Sequence, residues 1–242
     1  MNHVILMFLR KKKKSSVSSV EVGIHKRIIE VSGTASVYEH TLCRPSKLAP
    51  LGSLAKAISK RGLTGDFVEC GVYKGGSAAL IFSLLPTDCH AWLYDSFEGM
   101  PEVSEHDDSA AKEWEGTCVG HVDDAVKIMT EMSIAPERFT IRKGWFEDSF
   151  KEPLPKQIQY LHIDADWYDS VLLALETFYP LVVDGGLIVL DDFGHWEGCR
   201  RAFYDYCERE KIRPLLDRFE NDQAFWFKGR EHNRDGWTHK AL

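Results

Sequence analysis

Ile158-Gln-Tyr-Leu-His-Ile163 runs straight into Asp164, and Gly186-Leu-Ile-Val-Leu190 runs straight into the pair Asp191-Asp192. Both apolar runs are short and bounded by turn or helix signals, so they read as buried parallel strands. In an open α/β sheet, ligands bind outside the carboxyl ends of the strands. A single strand-end Asp is often a helix cap or turn former. Three at two such strand ends could instead converge on one hard cation through oxygen ligands. Asp164, Asp191 and Asp192 together therefore favour a site over three separate caps.

Working outward, helix and strand signals alternate from about residue 46. Leu48 to Ile58 has apolar residues at helical spacing, stopped by Gly62 and Gly65. Asp66 to Cys70 reads as a strand, Gly75 to Leu85 as a helix closed by Pro86, and His90 to Tyr94 as a second strand. A polar loop spans Ser96 to roughly Gly120. A helix over Val122 to Met132 and a strand over Arg138 to Arg142 follow. After the Asp164 strand come a helix through Tyr168 to Tyr179, the Asp191 strand, and a helix from about Trp196 to Glu210. Pro214 to Asp217 and Gln223 to Lys228 look like two closing strands with no helix between them. This order predicts one α/β domain, a doubly wound and mostly parallel sheet whose final pair forms an antiparallel edge hairpin.

Composition narrows the function. A chain of 242 residues with 44% hydrophobic content can bury one large core or two modest ones. Net charge −7 argues against a general nucleic-acid binder. The six cysteines form no C-x-x-C pair, which disfavours zinc and suits reduced thiols in the cytoplasm. Met1 to Leu9 is apolar but well short of the about 20 residues a bilayer crossing needs. The basic run Arg10 to Lys14 follows that stretch, whereas a secretory signal carries its charge ahead of it. Residues 1–36 read as a flexible tail, with weak attraction to an acidic lipid surface as the lesser reading.

The first strand-to-helix turn, Glu69-Cys-Gly71-Val-Tyr-Lys-Gly75-Gly76-Ser77, suits close approach of a ligand to backbone. Position 73 is Tyr where a dinucleotide fingerprint has its second glycine, which disfavours a nicotinamide oxidoreductase. Glu69, two residues before Gly71, suits an ammonium group. Asp95 ends the second strand, where an acid can accept both ribose hydroxyls. A cationic, ribose-bearing cofactor satisfies both, and S-adenosylmethionine is the natural candidate.

These segments, together with Asp95-Ser-Phe-Glu-Gly-Met-Pro101, Lys143-Gly-Trp-Phe146, His162-Ile-Asp-Ala-Asp-Trp-Tyr168 and Leu190-Asp-Asp-Phe193, resemble the macrocin O-methyltransferase family. The resemblance runs in order from about Tyr38 to Lys228. It implies a Rossmann-like class I methyltransferase with a seven-stranded sheet and an antiparallel last strand, over residues 37–228 with an N-terminal lid. It implies S-adenosylmethionine and Mg²⁺ as cofactors and a sugar hydroxyl of a glycosylated small molecule as acceptor. By the same resemblance Glu69, Cys70, Gly71, Val72, Tyr73, Gly75 and Ser77 line the methionine and ribose portion, and Asp95 holds the ribose. Gly144 and Trp145 lie near the adenine, and Thr41 and Cys43 belong to the lid. Asp164, Asp191 and Asp192 bind Mg²⁺, with Asp164 also the general base. The chain departs from the family at Cys43, where an apolar residue such as Met is common, and at Phe193, where Tyr is. The polar stretch 229–242 runs past the family's usual end.

Other residues carry two readings each. Asp166 is expected as the N-cap of the following helix rather than a ligand. His195 faces either the acceptor or its own loop. His162 either points away from the Asp164 crevice or lines it. Arg200 and Arg201 are expected on a solvated helix face. Trp114 and Trp145 either pack or line a sugar pocket. A catechol-type acceptor, or a noncatalytic cofactor-binding scaffold, are the alternatives to sugar methylation. The retained Asp triad argues against the scaffold. No stable membrane insertion is expected, and a homo-oligomer is left open.

Overall fold

The computed structural model describes residues 36–219 and 221–230; the expectations for residues 1–35 and 231–242 lie outside the described residues. Seven strands form one sheet: β1 (Asp66–Cys70), β2 (Ala91–Asp95), β3 (Phe139–Lys143), β4 (Ile158–Ile163), β5 (Val182–Leu190), β6 (Asp217–Phe219) and β7 (Gln223–Phe227). Their order is β3-β2-β1-β4-β5-β7-β6. The first five are mutually parallel, and β7 is antiparallel to both β5 and β6. The helices are α1 (Pro45–Ser59), α2 (Gly76–Phe82), α3 (Val122–Glu131), α4 (Phe146–Ser149), α5 (Tyr168–Phe178) and α6 (Glu197–Glu210). A short 3₁₀ turn, Ser36–His40, precedes α1. None of the described helices is long and apolar enough to cross a membrane.

Strand alternation sorts side chains into two layers. Phe67, Leu93, Tyr160, Leu187 and Val189 pack with α1, α2 and α3 on one face. Val68, Cys70, Tyr94, Leu161, Ile163, Ile188 and Leu190 pack with α5 and α6 on the other. Ile158 joins the second layer against simple parity because the register slips between it and Tyr160. Every residue of β4 is buried, as a central parallel strand with both faces covered requires.

The sequence expectation holds for the α/β class and the doubly wound order, with two adjustments. Helix α1 starts at Pro45, whose fixed φ suits the first helical position. The closing strands form the expected antiparallel hairpin at the sheet's edge, with β7 beside β5 and the three-residue β6 outermost. Pro214 cannot donate to a ladder, so pairing begins at Asp217.

Candidate functional site

The carboxyl ends of β1, β2, β4 and β5 open into one cavity of about 760 Å³, within the range of small-molecule sites. Its floor depends on how closely two of those ends approach. The Asp164 amide donates to the Cys70 carbonyl at 2.8 Å, and Gly71, at φ +88°, passes so near that a Cβ would lie 1.8 Å from the Asp164 carbonyl oxygen.

Asp95 anchors the turn above. Its Oδ2 accepts the amides of Val72 (2.7 Å) and Tyr73 (2.8 Å), and its Oδ1 accepts that of Phe97 (2.6 Å). Gly71, Val72, Tyr73, Ser77 and Asp95 all line the cavity, as do Thr41, Cys43 and Trp145. Trp145 sits at the rim, 37% exposed. Four of the expected cofactor residues do not line it. Glu69 is fully buried on the α1–α3 face, where its Oε1 meets His162 Nδ1 at 2.7 Å. Cys70 points to the opposite apolar layer. Gly75 is a packing position, because a Cβ there would come within 3.0 Å of the Ala125 Cα. Gly144 ties β3 to β2 through its amide on the Asp95 carbonyl at 3.0 Å.

The carboxylates form a connected cluster. One oxygen each from Asp164, Asp166 and Asp192 lie within 4.8 Å of one another, and a second such group joins Asp164, Asp191 and the Cys43 sulfur. Lys47 Nζ bonds Asp191 Oδ2 at 2.6 Å and Asp192 Oδ1 at 3.3 Å. Asp191 Oδ1 also accepts from Gln223 Nε2 at 2.5 Å and meets His162 Nε2 at 3.4 Å. Burial pushes Asp191 up, but the bonds to His162 and Lys47 outweigh it and hold its carboxyl below the usual range. Burial, then the neighbouring carboxylates, drive Asp164 and Asp166 well above theirs. Burial and Asp191 raise Asp192. Asp192 Oδ2 is buried with no hydrogen-bond donor among the described residues. An all-oxygen donor set, an orphaned carboxylate oxygen and crowded negative charge together fit a hard cation such as Mg²⁺.

Asp166 is not the N-cap that its position suggests. It adopts φ +55°, lines the cavity, and accepts Trp196 Nε1 at 2.9 Å. The first helical amide, that of Tyr168, is capped instead by Asp107 Oδ1 at 2.8 Å, from the polar loop. Trp196 packs edge-on against Trp167 at 4.9 Å and Trp114 at 6.4 Å, so an indole wall faces the carboxylates. Trp114 and His195 both line the cavity. His162 is fully buried between Glu69 and Asp191. Arg201 is half exposed beside Asp205, whereas Arg200 donates to the Phe193 carbonyl at 3.2 Å.

Sequence reasoning missed Lys47, Asp107, Gln223 and Trp196. Lys47 follows Pro45 on a helix start, and that placement is the only local signal it offers. The others act across 30 or more residues of chain, where periodicity carries no information.

The chain is similar to known proteins in sequence and in fold. The chain matches the macrocin-O-methyltransferase (TylF) family over residues 1–228. It is 27% identical over 196 residues to the 8-demethyl-8-(2,3-dimethoxy-α-L-rhamnosyl)-tetracenomycin-C 4′-O-methyltransferase of Streptomyces olivaceus, covering 77% of this chain and 75% of that protein. It is 24% identical over 201 residues to the mycinamicin III 3″-O-methyltransferase of Micromonospora griseorubida, covering 77% and 78%. In fold it is similar to the O-methyltransferase NovP, with TM-score 0.75, 22% identity, and coverage of 86% of this chain and 99% of that one. An O-methyltransferase from Bacillus cereus solved with SAH aligns at TM-score 0.53 and 15% identity, over 85% and 91%.

Proposed function

This chain belongs to the macrocin-O-methyltransferase family, and from that premise we propose that it methylates a sugar hydroxyl of a glycosylated natural product, using S-adenosylmethionine and a divalent cation. The reaction class, O-methyl transfer, follows from the family. The acceptor, the cofactor and the cation are the proposal. The observation that carries it is a single cavity holding both the Asp95-anchored turn and the strand-end carboxylates.

S-adenosylmethionine, when bound, supplies a methyl group already activated on a sulfonium. The protein's task is then to align an acceptor oxygen for in-line displacement and to remove its proton. Asp95 would take the ribose hydroxyls, and the turn from Gly71 to Tyr73 would lie against the methionine portion. Asp164 and Asp192, with Asp166 and Asp191 beside them, would hold a Mg²⁺. The ion would lower the pKa of an adjacent acceptor hydroxyl and stabilise the developing negative charge.

Asp164 remains the proposed base, and the geometry adds Asp166 as a second proton acceptor. Both face the cavity, and both have carboxyls pushed upward by burial and then by the charges of Asp191 and Asp192. Cys43, Cys70, Cys89, Cys118, Cys199 and Cys207 are all free thiols, which supports a reducing, cytoplasmic setting.

The test is a screen of glycosides and free catechols with methyl-labelled cofactor, with and without EDTA. Transfer to a glycoside hydroxyl, lost on chelation, is the expected result. Turnover of catechols with no glycoside accepted would overturn the acceptor class.

A further inference from the structure

Lys47 approaches the cation cluster from the first turn of α1. Its ammonium lies 2.6 Å from Asp191 Oδ2 and 3.3 Å from Asp192 Oδ1, with the Lys47 side chain 12% exposed and the carboxylates 2% and 9%. The other Asp191 oxygen already faces Gln223 and His162. A divalent ion using Asp191 must therefore take Oδ2, the oxygen that holds Lys47. The same ammonium sits on Asp192 Oδ1, leaving only Oδ2 of that residue unpartnered. Lys47 thus occupies two of the four oxygens offered by the strand-end pair. It also ends a segment whose Thr41 and Cys43 line the same cavity, so its bonds draw that segment onto the end of β5.

Resting on the cation reading above, we propose that Lys47 is a tethered competitor for the divalent ion. It is a positioning residue that neutralises the Asp191–Asp192 pair before the ion arrives, and it gives up Asp191 Oδ2 when the ion binds. Affinity for the ion is thereby set below what the carboxylates alone would give, and ion entry is linked to release of the lid segment from the end of β5. A fixed positive charge beside a dication repels it, whereas an unneutralised carboxylate cluster attracts it more strongly. A purely structural lysine predicts the reverse, since its loss would disorder the ligands and weaken binding.

The experiment is a Mn²⁺ titration by calorimetry on full-length protein stripped of metal, for the parent, Lys47→Met and Lys47→Arg. Lys47→Met should bind Mn²⁺ tighter by about tenfold or more, with Lys47→Arg near the parent because it keeps the charge. In metal-free buffer Lys47→Met should also melt lower than the parent, and saturating Mn²⁺ should close the gap. Should Lys47→Met fold poorly, Lys47→Gln should shift affinity in the same direction. Parent binding with unchanged or weaker binding in the charge-removing variants overturns the competitor role alone. Absence of Mn²⁺ binding in the parent and all variants overturns the cation reading, and this proposal with it.

Discussion

The Asp164 carbonyl oxygen stands where a side chain on Gly71 would have to go, 1.8 Å from an ideal Cβ. The Gly71 turn and the Asp164 strand end are thus fitted to each other through backbone. The Asp164 amide on the Cys70 carbonyl holds that approach in register.

Gly71→Ala should therefore damage both halves of the site at once. The positive φ costs about 1–2 kcal/mol, and the steric conflict adds about 1–3 kcal/mol. Because the obstacle is backbone, it cannot rotate away. A melting temperature several degrees lower, with binding of S-adenosylhomocysteine lost, is the expected result. A normally stable Gly71→Ala variant that still binds it would show that β1 and β4 can separate without consequence.

Asp95→Ala should weaken S-adenosylhomocysteine binding by about 1–3 kcal/mol, the scale of charge-assisted hydrogen bonds lost from a site. It removes the expected ribose acceptor and frees the Val72 and Tyr73 amides together. Calorimetry on metal-free protein should also show no binding of NAD. Tight NAD binding without a response to S-adenosylhomocysteine would sink the cofactor assignment.

Chelation separates cation chemistry from simple proximity. EDTA should abolish turnover while leaving cofactor binding nearly intact, because Asp95 and the Gly71 turn belong to strand ends other than those of the Asp cluster. Loss of a catalytic base costs about 10²–10⁴-fold, so Asp164→Asn and Asp166→Asn should both fall steeply in kcat. Asp191→Asn keeps an oxygen, so excess Mg²⁺ should partly restore it. Full transfer in EDTA would make the carboxylate cluster structural.

The sheet, its order and the strand-end acids were legible because a buried parallel strand announces itself as a continuous apolar run. Asp95, Asp164, Asp191 and Asp192 follow from where such runs stop. Orientation within the site was not legible. Glu69 and Cys70 are neighbours on one strand, so pleating sends them to opposite faces. Neither reaches the cavity, although Gly71, the next residue, does. The Asp166 cap failed for a related reason: its positive φ turns the side chain toward Trp196, and a residue 61 positions away takes over the helix amide.

That substitution of one Asp for another can be measured. Asp107→Ala should cost about 0.5–2 kcal/mol, the range for losing an N-cap, and should lower the melting temperature by a few degrees. Asp166→Ala should not uncap α5. Equal helix destabilisation in the two variants would return the cap to Asp166.

The buried chain Glu69–His162–Asp191 predicts a dependence of stability on pH. Burial by itself would push His162 down, but its bonds to Asp191 and Glu69 prevail and raise it to about 9. An unfolded histidine titrates near about 6.5. Between those values the folded protein keeps a proton that the unfolded chain has released, so stability falls as pH rises. The His162 contribution is complete below about pH 6.5 and is lost as pH passes through about 9. Asp191, held below the ordinary carboxylate value, acts in the acid window instead and loses its contribution as pH falls through its folded value. Melting curves in EDTA from pH 6.5 to 9.5 should decline more steeply for the parent than for His162→Asn. The difference in slope is the readout, since the variant's overall stability also changes when Glu69 and Asp191 lose their shared partner. Parallel declines would mean that the imidazole is neutral between its two carboxylates, which would leave the carboxylate cluster with one positive charge fewer beside it.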